Sequence, residues 1–285
     1  MIFLNNGDNM EIMEIIKEAM IFPSNNLGKI AIFIVFTIVA VLLAFVGFVF
    51  IALGLSDSFI WIVLGTIILI AALLLGFIIT GYQVSIIKSG IDHTESAPEF
   101  NWKGNLITGV KYLVVNIVYF IIPAIIVLII AWATNLFGMA RTMFIQMMNA
   151  SMAAPANTTV VFENVVPQSL IISFGTTLAI VGIIAFVLFV IFSIIETMGQ
   201  SRLANTDSLG DALNIPEAFK DIGRIGYGKV IAVIILTFVI IAVINAIITG
   251  LNNYINGFGI LSIIVTPYLI FFSSRATGLL YSDIA

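Results

Sequence analysis

The sequence predicts an all-α membrane protein with six transmembrane helices, and three observations predict it. Of 285 residues, 61% are hydrophobic and only 9% charged, against about a quarter charged in soluble chains. Six apolar runs are each long enough to cross a hydrocarbon core of roughly 30 Å, which takes about 20 helical residues. Lysine and arginine fall almost wholly in alternate loops, as cytoplasmic loops do.

The runs are Ile30–Gly54, Phe59–Tyr82, Tyr112–Ala133, Leu170–Ile195, Val230–Thr249 and Gly259–Leu280. In lipid the backbone must satisfy its own hydrogen bonds, and runs of this length do so as helices. The N-terminus, the second and fourth loops and the C-terminal edge hold Lys17, Lys29, Lys88, Lys103, Lys111, Arg202, Lys220, Arg224, Lys229 and Arg275. The opposite set holds Arg141 alone. This bias places both termini in the cytoplasm and makes Leu55–Ser58, 134–169 and Gly250–Phe258 the outer segments. A plasma-membrane location is expected. Two glycosylation tripeptides, at Asn149 and Asn157, fall in the outer loop 134–169. The first apolar run is too long for a signal-peptide core and follows no basic start. No cysteine occurs, which removes disulfides, thiolate metal sites and cysteine nucleophiles.

A motif recurs before each odd-numbered run. "EAMIFPSNNLGK" (Glu18–Lys29), "EFNWKGNLITGVK" (Glu99–Lys111) and "EAFKDIGRIGYGK" (Glu217–Lys229) each start on an acid, carry an early aromatic and end on Gly and Lys. Glu to Gly spacing is ten, ten and eleven residues (18 to 28, 99 to 109, 217 to 228). This pattern predicts one integral membrane domain over 1–285, a pseudo-three-fold repeat of helical hairpins with units near 8–90, 91–202 and 203–285. Each hairpin would be preceded by a cytoplasmic amphipathic helix. In the first, Ile12, Met13, Ile16, Ala19 and Met20 share a face opposite Glu11, Glu14 and Glu18, and Asp8 with Glu11 is a capping pair. In the second, Leu106, Ile107 and Val110 form an apolar stripe suited to the membrane plane. Phe100 and Trp102 suit the headgroup layer, and Lys111 and Lys229 can extend to lipid phosphate; these four are candidate interface anchors. The even-numbered runs end in "TGYQ", "TMGQSR" and "ATGLLY", whose small residues permit close helix approach.

The stretch "ITGYQVSIIKSGID…APEFNWKGNLITGVKYLVVNIVYFIIP" resembles domain-of-unknown-function family 4013. The pattern is carried by Gly81, Tyr82, Lys88, Gly90, Pro98, Glu99, Phe100, Trp102, Gly109, Lys111, Tyr119 and Pro123. Trp102 follows Phe100 by two, closer than the family's usual form, and "RATGLLY" (Arg275–Tyr281) is similar to that family's end. The resemblance is best over 18–123 and 200–281. It implies an uncharacterised archaeal membrane protein of methanogen type and supplies no activity.

Ionisable groups inside a membrane mark functional sites by default. Here Glu196, late in the fourth run, and Arg275, late in the sixth, are the two candidates, and they are placed to pair as a latch or to hold a lipid headgroup. Asn116 and Asn245 are candidate intramembrane polar contacts, with Tyr119, Ser173, Thr176 and Thr177 as lesser ones. His93, the sole histidine, has Asp92 and Glu95 beside it, a weak metal or acid–base constellation; a solvated loop histidine is the plainer reading. Met139, Met143 and Met147 step by four, a spacing open to soft copper(I) or to packing. "GYG" at 226–228 lacks the surroundings of a potassium filter.

The expected function is therefore non-catalytic: a membrane-organising protein, subunit or scaffold. Membrane lipids are its partners, with a homo-oligomer or another membrane subunit as a further one, and neither cofactor nor nucleic acid. The alternative is a transporter or channel for a neutral or lipid-like solute, using Asn116, Asn245 and the hydroxyls of the fourth run.

Overall fold

The computed structural model describes residues 10–56, 58–155, 159, 161–255 and 257–285, and no strand occurs among them. Six helices are long and apolar enough to cross a membrane. Contacts divide the chain into two compact units, one of residues 1–116 and 194–285 and one of residues 117–193.

The first unit begins with α1 (Ile12–Asn25), opened by a capping box of Glu11 and Glu14. The capping pair expected from Asp8 lies outside the described residues. The buried face of α1 is Ile15, Ile16, Ala19 and Phe22. It is rotated from the expected one, because α1 packs on α10 (Tyr227–Asn252) and α11 (Ser262–Tyr281) and leaves Met13 and Met20 exposed. Asn26 breaks the helix, and α2 (Leu27–Ser56) and α3 (Phe59–Ile91) follow as an antiparallel hairpin. Their axes cross at Gly47 and Gly65, where a Cβ on Gly65 would lie 2.6 Å from the Gly47 carbonyl oxygen.

Residues 92–101, a turn and bend followed by irregular chain, form a strap that leads into the stripe expected of the second amphipathic helix. Pro98 disfavours the helical region for Ala97, and the strap is tied down along its length. The Ala97 N–H donates to Asn26 Oδ1 (2.7 Å), and the Tyr82 hydroxyl donates to the Pro98 carbonyl (2.8 Å). The stripe Leu106, Ile107 and Val110 instead belongs to the first turns of one continuous helix, α4 (Trp102–Ala133). Glycine sets the α3–α4 crossing: a Cβ on Gly81 would sit 1.8 Å from the Asn105 carbonyl oxygen, and one on Gly109 1.8 Å from that of Phe77.

The end of α7 (Gln168–Thr206) returns to the first unit. It leads through α8 (Leu209–Ala212), capped by Ser208, to α9 (Ile215–Ile225), capped by Asn214. Gly226, at φ 108, makes the break between α9 and α10 that an L residue would resist. Phe258–Leu261 form a 3-10 turn before α11. A Cβ on Gly278 would meet the Ile87 carbonyl oxygen at 2.1 Å, so α3 and α11 also touch through bare backbone.

Buried residues of this unit gather at one end, the basic one. They lie at the start of α2 (Ile30, Phe33), the end of α3 (Ile78–Ile91) and the start of α10 (Val230, Val233). The ends of α7 (Met198, Leu203) and α11 (Leu269–Tyr281) complete the set. Phe22, Ile30, Phe33, Tyr82, Ile86 and Phe271 form one cluster there, with Phe33 edge-on to Phe271 at 5.5 Å. Farther along the spans, apolar side chains such as Phe45, Phe48 and Phe238 face outward, 65–68% exposed. In water such a surface would drive association; in a bilayer, lipid chains solvate it and the backbone is satisfied within each helix.

In the second unit, α4 and α7 are joined by α5 (Leu136–Ala153) and the short α6 (Phe162–Val165). Asn135, left-handed at φ 58, turns the chain into α5. Ala131, Leu136 and Val181 pack with Val127, Ile130, Met139 and Phe174. Met139 thus serves as packing, and Met143 and Met147 are half-buried on the same side of α5. Asn149 is exposed on α5, whereas Asn157 lies outside the described residues.

Candidate functional site

Every charged cluster with structural depth lies at the basic end of the first unit. Arg275 is 1% exposed. Its Nη1 donates to the carbonyls of Ser89 (2.5 Å) and Thr94 (2.8 Å), its Nη2 to Glu18 Oε1 (2.5 Å), and its guanidinium lies 4.6 Å from the Phe22 ring. Those partners belong to the end of α3, the strap and α1. The pairing of Arg275 with Glu196 does not form, because α1 brings Glu18 to the guanidinium first.

Asp221 on α9, 1% exposed, is a second centre. It accepts from Arg202 Nη1 (2.8 Å), Arg224 Nη1 (2.6 Å) and the Tyr281 hydroxyl (3.3 Å), tying α7, α9 and α11 together. Around it, Lys220 and Arg224 hold the Glu217 carboxyl below its ordinary range, and the bond to Asp221 raises Arg224. These outer contacts are solvated and of small energetic weight; the Arg202–Asp221 contact is the enclosed one.

Three lysines complete the pattern. Lys29 pairs with Glu99, Lys111 with Asp207 (2.8 Å) and Lys229 with Asp283. Each is the motif lysine at the foot of an odd-numbered span, and each acid follows the even-numbered span of the same hairpin. Lys111 and Lys229 therefore end on carboxylates within the chain. Of the other expected anchors, Phe100 stacks on Tyr82 with centroids 3.8 Å apart. Trp102 is 53% exposed and meets Phe36 at 4.9 Å.

A fourth cluster is polar and carries one charge. Glu196, 6% exposed, accepts from Gln200 Nε2 at 2.6 Å, and the same nitrogen reaches Asn116 Oδ1 at 3.3 Å. The Tyr112 side chain lies beside Asn116 and Gln200. Glu196 and Gln200 are one turn apart on α7, and Tyr112 and Asn116 one turn apart on α4, so two helical ridges meet through side-chain bonds. Glu196 belongs to none of the ion pairs among the described residues. Beside the cluster is a cavity of about 130 Å³, bordered by Gln83, Tyr112, Gln200, Ser273, Ser274 and Thr277.

Asn116 and Glu196, singled out separately in the sequence, are thus brought together, whereas Asn245, Ser173 and Thr176 are exposed and lie outside this cluster. His93 sits in a left-handed turn after α3 at φ 50. No group of three or more His, Cys, Asp or Glu that could hold a metal occurs among the described residues. Sequence reasoning missed Gln200, Tyr112 and Gln83, which carry no charge, and the partners that Glu18 and Asp221 find in the fold. The i, i+4 spacing of Glu196 and Gln200 was the available signal.

No curated protein and no solved structure matches the chain. The family described as "Protein of unknown function (DUF4013)" matches residues 64–253. That match takes in most of α3, the strap, α4 to α9 and all of α10, with both ridges of the polar cluster, and the chain belongs to the DUF4013 family.

Proposed function

We propose that the protein is a non-catalytic, multi-pass protein of the plasma membrane that organises the membrane or serves as a subunit or scaffold. Both termini are cytoplasmic in this reading, and the basic end is the inner end. The observation that carries it is the engagement of charge at that end. Arg275, Asp221 and the three motif lysines are all held in contacts that join helices, so they act as fasteners and leave no acid–base or metal centre assembled among them. Lipid and other spans are the partners that the apolar flanks fit, including further copies of this chain.

The same contacts support the pseudo-three-fold repeat. The lysine at the start of each hairpin pairs with a carboxylate that follows the hairpin's second span, Asp207 and Asp283 close to the helix end and Glu99 farther along the strap. In this scheme α1 and α9 are the amphipathic lead-ins of the first and third copies, and the strap takes that place in the second. An archaeal origin accords with the family resemblance.

Purification from native membranes after mild cross-linking tests the reading. The expected outcome is a stoichiometric partner or a defined homo-oligomer. A solitary monomer that carries solute across liposome membranes would establish the alternative, a path for a neutral solute, which the polar cavity favours.

A further inference from the structure

We propose that the polar cavity beside Gln200 binds a small monovalent cation of the ammonium or alkali type, with the Glu196 carboxylate as its counter-charge. The site goes beyond the subunit reading and stands without it.

Size limits the occupant first. A water molecule takes about 30 Å³, so a cavity of about 130 Å³ admits roughly four waters or one small cation with part of its shell. Lipid chains and nucleotides are too large. Chemistry limits it next. The border offers neutral oxygen groups, of which the Gln83 amide and the Ser274 and Thr277 hydroxyls have no side-chain partner among the described residues. Neutral oxygens of this kind replace the hydration water of a monovalent ion. A divalent metal would call for several carboxylates or imidazoles, and no such group is present among the described residues.

Charge then selects the sign. A carboxylate inside a membrane segment is costly unless paired or neutralised. Among the described residues, the Glu196 side chain accepts a hydrogen bond from the Gln200 amide at 2.6 Å. The nearby cations are already engaged, Arg275 by Glu18 and Lys111 by Asp207. A carboxylate one hydrogen bond behind Gln200, which borders the cavity among hydroxyl and amide groups, fits one positive charge there.

Thermal unfolding of the purified full chain in nanodiscs provides the test. Ammonium, methylammonium, sodium and potassium chlorides are compared with choline chloride at fixed ionic strength, because the quaternary nitrogen of choline has no N–H to donate and its methyl groups hold it away from close oxygen contacts. At least one small cation should raise Tm saturably, by about 5 °C at a hundred times its dissociation constant, and choline should not. The arms identify which cation the site takes. Glu196→Gln should abolish the shift, and Ser274→Ala with Thr277→Val should move its midpoint about tenfold higher. A shift no larger than that with choline, or one that persists in Glu196→Gln, overturns the proposal and leaves a hydrated cavity beside a protonated acid. If Glu196→Gln does not fold, an undiminished shift in the Ser274/Thr277 variant overturns it equally.

Discussion

Arg275 is the largest side chain withdrawn from solvent among the described residues, and its surroundings explain how a membrane protein tolerates it. Two backbone carbonyls, one carboxylate and an aromatic face replace its hydration. Such a group is weak evidence of net stability, but removing it is costly because its partners stay behind. Arg275→Met keeps much of the volume while orphaning the Ser89 and Thr94 carbonyls, and should lower stability by about 3 kcal/mol. Glu18→Gln keeps a hydrogen-bond partner at a half-exposed position and should cost about 1 kcal/mol. Denaturation in detergent, followed by circular dichroism, measures both; equal losses would deny Arg275 its central place. The sequence showed Arg275 as a charge in an apolar run, yet not its partner, because Glu18 is 257 residues away. Likewise Phe100, read as a headgroup anchor, is turned inward by stacking on Tyr82, a contact no local periodicity announces.

Among the elements, glycine decides which helices touch. Gly81 and Gly109 bring α3 and α4 to backbone contact, and Gly90 and Gly278 do so for α3 and α11. Gly109→Ala would place a methyl 1.8 Å from the Phe77 carbonyl oxygen, forcing the helices apart at about 2–3 kcal/mol. Gly76→Ala has open space around it and should be neutral to within about 1 kcal/mol. Parallel thermal melts separate the two, and a harmless Gly109→Ala would refute the crossing. The even-span endings "TGYQ" and "ATGLLY" had pointed to Gly81 and Gly278 as close-approach residues, since small side chains at a helix end have few other uses in lipid. The lead-in of the second hairpin was less legible. Its apolar stripe had the right period for a separate helix, but Pro98 and the ties to Asn26 and Tyr82 hold the preceding chain out of a helix, and the stripe continues straight into α4.

For the whole molecule, the six spans were legible because lipid leaves no ambiguity about a run of 20 apolar residues. The basic end was legible because ten cations share alternate segments. The acids that answer the motif lysines were not, since Glu99, Asp207 and Asp283 sit in irregular segments where no period indicates direction. The proposed orientation has a direct check, because a chain without cysteine accepts single labels cleanly. Lys103→Cys and Lys220→Cys should resist an impermeant maleimide in intact cells, while Met152→Cys and Tyr254→Cys, at positions 79% and 88% exposed, should react. The reverse pattern would invert the inner and outer assignments.

The docking of α1 on α11 bears on biogenesis. A nascent chain that has emerged from the ribosome as far as α10 carries the finished face of Ile15, Ile16, Ala19 and Phe22 with its principal support still unmade. Glu18 then waits for an arginine of the sixth span. Docking of the first helix is thereby deferred until the sixth span is made, and a product arrested before that span would display the apolar face to chaperones and membrane proteases.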